Sequence, residues 1–346
     1  MSLQADIRKD FGSFVLDVQL CFEEGITCLL GASGCGKSLT LKAIAGIVRP
    51  DEGRIILNGR TLFDSEKGID LPPQQRNVGY LFQNYALFPN MTVRQNILCG
   101  LHRVKDKAAK ERQLGEMLKL MQLEGQAGLL PHQLSGGQQQ RAALARILVS
   151  GPELLMLDEP FSALDGHLRD LLKVELKKLL NRYGKEVLMV THSRDEAYDM
   201  CQKIGVMDEG KLLTMKPTKQ LFADPGSVRA AVVTGCKNIA PARKTGSHSV
   251  YVPDWDIEME TAAELNDGLK AVGIRAHYFN TGTQHNRFPV VFADEIEEPF
   301  ETIIQFRYRG QRESSPSLWW RMSKEKRPRE LPEALGVAPV NILPLY

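Results

Sequence analysis

The sequence predicts an α/β domain built on a partly parallel sheet, with an inserted helical lobe, followed by a small all-β domain. Three observations carry this expectation. Four apolar runs, ITCLL (26–30), NVGYLF (77–82), LLML (154–157) and VLMV (187–190), alternate with longer helical stretches, the pattern of βαβ units. Between the second and third runs the texture turns helical, from about 93 to 150. From roughly Gly235 onward, short β-like segments are separated by Pro, Gly, Asn and Asp. The expected division is 1–235 and 236–346.

Composition supports a folded chain of that size. At 346 residues, with 43% hydrophobic and 25% charged residues, the chain has material for two domains of about 150 residues each. A formal charge of +2 lacks the basic surplus of a phosphate-backbone binder, so no nucleic-acid partner is expected. The one basic run, KEKRPR (324–329), reads as a solvated turn. Six cysteines without a C-x-x-C pair read as reduced thiols in a cytosolic setting. The polar start MSLQADIRKD lacks the apolar centre of a secretion signal, and no run reaches the ~18 to 20 apolar residues of a membrane span.

The first strand, ITCLL, runs into GASGCGKS, Gly31 to Ser38, which matches the P-loop pattern G-x-x-x-x-G-K-[ST] between a strand and a helix. Gly31, Gly34 and Gly36, with Ala32, Ser33 and Cys35 between them, let the backbone wrap an anion that the next helix N-terminus faces. Lys37 is placed to reach the β- and γ-phosphates of a nucleotide, and Ser38 to offer its hydroxyl to Mg²⁺. NVGYLF ends at Gln83, LLML at Asp158 and VLMV at Thr191 and His192. Ligands of open α/β sheets lie outside these carboxyl ends.

Each strand end then takes a role. Asp158 is expected to hold the Mg²⁺, and Glu159 beside it to orient and deprotonate an attacking water. The carboxamide of Gln83 is suited to Mg²⁺ and that water, and His192 to a hydrogen bond on the γ-phosphate. The other histidines lack metal-ligand spacing.

In the inserted lobe, Leu114, Met117, Leu118 and Met121 recur at helical spacing as one packing stripe. Ser135, Gly136 and Gly137 precede QQQRAALARILV, so Ser135 reads as a cap and the glycines as a second anion cradle at a helix N-terminus. A single nucleotide already has its cradle in the P-loop. The second must serve another anion, or the same phosphates from a different chain. In the C-terminal part, SVYV, VGIRAHYF, PVVF, TIIQFRYR and SLWWRM read as strands of a small antiparallel barrel or sandwich, with one of Trp319 and Trp320 inward by alternation.

The set GASGCGKS, YLFQ, LSGGQQQR, LMLDEP, SALD and THS, in that order, resembles the nucleotide-binding subunit of ATP-binding-cassette (ABC) transporters. The likeness covers about residues 1–235, and LSGGQ is its specific element. The resemblance implies a P-loop NTPase domain of ABC ATPase type that binds ATP and Mg²⁺ as a head-to-tail homodimer. Ser135, Gly136 and Gly137 would then face the γ-phosphate held by the partner, and Asp165 would link the two sites. An aromatic stacks on adenine in such proteins; Phe11 is the match here, with Phe14 as the alternative. Leu39 stands where many members place a hydroxyl on the α-phosphate, with Thr40 one position late.

EPFSALD followed by HLR resembles the importers of oxyanions, sugars and polyamines. SEKGIDLPPQQRNVGYLFQNYALFP (65–89) is most similar to ATPases of molybdate importers. The C-terminal part resembles the barrel-like regulatory domain that such subunits carry. The resemblance implies a peripheral protein on the cytoplasmic face of the inner membrane, coupled to permease subunits and, through them, to an extracytoplasmic solute-binding protein. Sulfate, polyamine or iron remain as alternative cargo. A soluble ABC ATPase outside transport is the alternative of a different class, and it usually needs a long coiled-coil insertion or two cassettes. A small-molecule kinase is disfavoured by Glu159, a base suited to water.

Overall fold

Nine-residue strands β1 (Ser2–Asp10) and β2 (Val15–Glu23) alternate apolar and polar residues, as a hairpin with one covered face requires. They pair antiparallel from Ser2 opposite Glu23 to Asp10 opposite Val15. This computed structural model describes residues 2–23, 25–162 and 166–346. Strand β3 (Ile26–Leu30) is buried at all five positions; β4 (Glu52–Leu57), β5 (Arg60–Asp64) and the short β6 (Ile69–Asp70) extend the antiparallel half from β1 outward. The parallel half consists of β7 (Val78–Leu81), β8 (Leu154–Asp158), β9 (Glu186–Thr191), β3 and β10 (Lys203–Asp208), paired in that order. Strand β11 (Lys211–Pro217) returns antiparallel to β10 and meets β2, completing one eleven-stranded sheet.

The four apolar runs of the sequence are thus neighbours in one parallel block, and β8 and β9 are buried along their whole length, as strands covered on both faces should be. Helix α1 (Lys37–Ala45) follows β3 directly. The inserted lobe holds α2 (Val93–Gly100), α3 (Lys107–Leu120) and α4 (Gly136–Leu148). Thr92 caps α2 in a capping box with Gln95, and Asp106 caps α3. Leu114, Leu118 and Met121 are buried, with Met117 half-buried, so the expected stripe is the packed one. Helices α5 (Gly166–Tyr183) and α6 (Arg194–Met200) follow β8 and β9.

The chain divides into two compact units, Met1–Thr218 and Lys219–Tyr346, ahead of the expected boundary at 235. The helix Val228–Val233 belongs with the second unit, because Ala231 packs with Cys236, Ala271, Leu343 and Leu345. That unit contains three antiparallel sheets of three, three and four strands, and its larger cluster, apart from that of Ala231, includes Trp255, Phe306 and Trp320. Trp320 points inward and Trp319 is half-buried beneath Lys237, as alternation requires. The segment 272–279 differs from expectation. Its strand ends at Ile274, and Arg275 turns inward to donate to the carbonyls of Thr234 and Phe222. The run 324–329 is a solvated turn held by Lys324–Glu297 and Arg327–Glu295 ion pairs.

Candidate active site

Strand β3 delivers the glycine loop to the sheet edge. A Cβ at Gly31 would lie 2.3 Å from the Met207 carbonyl on β10, which excludes any other residue at this crossing. Gly34 and Gly36 adopt φ of 81° and 103°, a region other residues enter only with strain. Helix α1 starts at Lys37 without a side-chain cap, so its first N–H groups stay open to an anion. Lys37 is buried, and its Nζ donates to the carbonyls of Gly31 at 2.9 Å and Ala32 at 2.8 Å. The ammonium therefore lies inside the loop. Cys35 faces the core, and burial pushes its thiol pKa up against the opposing pull of Lys37. Leu39 packs on the same core, and the Thr40 hydroxyl is turned onto the Gly36 carbonyl at 3.1 Å. Of Leu39, the backbone N–H is what remains for a phosphate.

Asp158 ends β8 in direct contact with the loop. Its Oδ1 accepts from the Ser38 hydroxyl at 2.7 Å, and its Oδ2 from the Tyr80 hydroxyl at 2.7 Å. Sequence reasoning missed Tyr80; alternation along VGYL was the available signal, since it sets Tyr80 and Asp158 on one face once the strands pair in register. Glu159 follows at φ 45°, a left-handed conformation of the kind that clusters at functional sites. Its N–H is tied to the Val190 carbonyl at 3.0 Å, and its Oε1 lies 3.1 Å from Nδ1 of His192. Gln83 donates to the Ser162 hydroxyl at 3.1 Å, and that hydroxyl donates to the Glu159 carbonyl at 3.0 Å. Four strand ends thus converge, with His192 on the Glu159 carboxylate rather than apart from it.

An oxygen-rich set fits Mg²⁺ here. The Ser38 hydroxyl and the Asp158 carboxylate already meet at hydrogen-bond distance, and hard cations of this kind are held by one or two carboxylates plus substrate phosphates rather than by an all-protein cage.

Ser135 caps α4: its hydroxyl accepts from the Gln138 N–H at 3.3 Å, and the Gln138 side chain accepts from the Ser135 N–H at 2.9 Å. Gly136 and Gly137 form the first turn, and a Cβ on Gly137 would come within 3.0 Å of Leu172. Helix α4 is anchored to the strand-end machinery at two points the sequence did not disclose. Gln140 donates to the Pro160 carbonyl at 3.0 Å. Arg146 donates to the carbonyls of Ala86 at 2.8 Å and Tyr85 at 3.3 Å, in the loop just beyond Gln83, and stacks over Phe88. Tyr85 and Ala86 are both left-handed, at φ 59° and 46°.

Of the two aromatic candidates, Phe14 packs beneath the loop, its ring tip 3.1 Å from where a Gly36 Cβ would stand. Phe11 is 41% exposed, its ring 6.3 Å from that of Phe14. Asp165 lies outside the described residues.

The "ABC transporter" family model matches residues 15–162. The sulfate/thiosulfate import ATP-binding protein CysA 2 of Chromobacterium violaceum is 42% identical over 255 residues, which are 73% of this chain and 68% of that one. The molybdenum import ATP-binding protein ModC of Paramagnetospirillum magneticum is 39% identical over 224 residues, 65% of this chain and 61% of its own length. The chain thus spans roughly two thirds of the length of the relatives it matches. Among solved structures, the dimeric post-hydrolysis state of the ATP-binding cassette MJ0796 bound to ADP and Pi covers 63% of this chain and 99% of its own, at 28% identity and a TM-score of 0.53. The family model spans both the glycine loop and the Ser135 helix, and identity of 42% over 73% of the chain goes beyond a shared nucleotide loop: the chain belongs to the ABC transporter family, as an ATP-binding subunit of import type and an ABC ATPase.

Proposed function

We propose that this chain hydrolyses ATP as one half of a head-to-tail homodimer and thereby powers uptake of an oxyanion, molybdate, through membrane-spanning permease subunits. The observation that carries the hydrolytic reading is the Glu159 carboxylate, held by His192 next to the Ser38–Asp158 pair. Lys37 and the open N–H groups of α1 bind the phosphates. Ser38 and Asp158, with Gln83 near them, would hold Mg²⁺, which when bound neutralises charge on the β- and γ-phosphates. Glu159 accepts the proton of the attacking water. His192, when its Nδ1 carries a proton, donates to Glu159 and fixes it; the γ-phosphate contact expected from the sequence would fall to its other nitrogen. Phe11 offers the exposed ring for adenine.

The Ser135, Gly136 and Gly137 turn at the start of α4, separate from the glycine loop that already cradles one nucleotide, supports a site completed by a second copy, with Asp165 between the two sites. The dimeric state in which MJ0796 was solved supports the same assembly. No helix among the described residues is long and apolar enough to cross a membrane. In this reading the chain works on the permease from the cytoplasmic face. An extracytoplasmic solute-binding protein would supply the cargo. The C-terminal sheets are read as a barrel-like regulatory domain. Molybdate rests on the likeness of residues 65–89 and of the C-terminal part to molybdate-import ATPases. Sulfate is the second reading, favoured by the longer match to CysA 2.

A single complementation experiment tests the proposal. In a strain lacking this gene, wild-type protein should restore molybdoenzyme activity at trace molybdate, and Glu159→Gln should not. Purified Glu159→Gln should bind ATP, lose about 10²- to 10⁴-fold in hydrolysis and run as a dimer on size exclusion. Hydrolysis at the wild-type rate removes Glu159 from the base role; rescue of sulfate but not molybdate uptake changes the cargo.

A further inference from the structure

Asp158 presents two carboxylate oxygens, and each is engaged by a different hydroxyl: Oδ1 by Ser38 and Oδ2 by Tyr80, both at 2.7 Å. The two hydroxyls are not equivalent. Ser38 stands in the first turn of α1, just past the glycine loop. Tyr80 stands on β7, whose parallel register sets it opposite Met156, with Asp158 two residues further along the same face of β8. Its ring is partly buried on the main core and lies 4.4 Å from the Phe82 ring. The phenol is therefore fixed by the sheet.

We propose that Tyr80 is a positioning residue for the metal site: its phenol locks the Asp158 carboxylate through Oδ2, leaving Oδ1 oriented toward Ser38 and the incoming cation. This rests on the reading that Ser38 and Asp158 hold Mg²⁺. A carboxylate locked from behind loses no rotational freedom when the cation arrives. Outer-shell partners of metal ligands typically affect metal affinity by roughly 10- to 100-fold. The other oxygen of Asp158 needs no further protein donor, which leaves Ser38 free to exchange its hydrogen bond for the metal.

The test uses the full chain and a fluorescent ATP analogue at fixed concentration, titrated with Mg²⁺, for wild type, Tyr80→Phe and Asp158→Asn. Manganese binding followed by electron paramagnetic resonance gives a second readout independent of hydrolysis. Tyr80→Phe keeps the ring, so packing on Phe82 is retained. Its half-saturating Mg²⁺ and Mn²⁺ should rise about 10-fold, the lower end of the outer-shell range, while nucleotide affinity in EDTA stays within about two-fold of wild type. A purely packing role for Tyr80 leaves both quantities unchanged. If Asp158→Asn raises the cation requirement and Tyr80→Phe does not, Tyr80 has no positioning role and the metal site stands. If neither variant changes it, the metal assignment itself fails, and this inference with it.

Discussion

Glu159 occupies a left-handed conformation that a glutamate enters at a cost of about 1–3 kcal/mol, and its contacts pin it there: its N–H on Val190, its carbonyl on Ser162 and its carboxylate on His192. The imidazole is more than half exposed, at 54%, whereas the carboxylate is 17% exposed. His192 thus contributes little to packing, and its removal should act on chemistry rather than on folding. His192→Ala is expected to lower kcat about 10²-fold, the magnitude of losing one aligned donor at a reacting centre, with ATP affinity nearly unchanged; steady-state kinetics beside equilibrium nucleotide binding will separate the two. His192 was expected on the γ-phosphate rather than on Glu159, whereas Glu159 itself was legible in the sequence, because the glycine loop and the Asp-Glu pair are local patterns fixed by backbone geometry. Tyr80 was not, because its contact depends on how β7 and β8 align, and the two residues lie 78 positions apart in the chain.

At the scale of elements, α4 is the one that joins otherwise separate parts. Its N-terminus carries the capped Ser135 turn, and near its C-terminus Arg146 holds two consecutive left-handed residues of the loop beyond Gln83. The helix and its cap followed from SGG before an apolar-faced run. The role of Arg146 did not follow, since nothing local distinguishes it from a solvated helix charge, and its partners are backbone carbonyls of residues whose φ values no propensity predicts. Burial depresses the guanidinium pKa from its ordinary value, and its donors are turned onto backbone carbonyls rather than onto an acidic partner. Removing it leaves the Ala86 and Tyr85 carbonyls without this donor and the strain unopposed. Arg146→Ala should destabilise the chain by about 1–3 kcal/mol, read as a lower urea midpoint. Arg146→Lys should recover less than half of that, because a point charge reproduces neither the paired donors nor the stacking over Phe88.

For the whole molecule, the boundary between the units was the least legible feature. The division expected at 235 put residues 219–235 with the first unit, whereas Ala231 packs within the second, with Leu343 and Leu345, near the other end of that unit's sequence. Each unit has its own core, one on the large sheet and one around Trp255 and Trp320, and this gives the molecule separable reporters. All three tryptophans, 255, 319 and 320, lie in Lys219–Tyr346, so indole emission follows the second unit alone. Five of the six cysteines lie in the first unit, where Cys21 and Cys99 are exposed and Cys28, Cys35 and Cys201 are buried. Burial raises the thiol pKa of Cys28 and Cys35, and in the second unit pushes that of Cys236 up to about 11. A raised thiol pKa means less thiolate, the reactive form, at pH 8. Native protein pulsed with iodoacetamide at pH 8 should therefore be labelled at Cys21 and Cys99, with Cys28, Cys35 and Cys201 following only as urea unfolds the first unit. MgATP at about 100 times its Kd adds roughly 2.7 kcal/mol to the unit that binds it. It should move the labelling midpoint of those three buried cysteines to higher urea and leave the tryptophan midpoint where it was. Equal shifts in both probes would mean that the two cores unfold as one cooperative system.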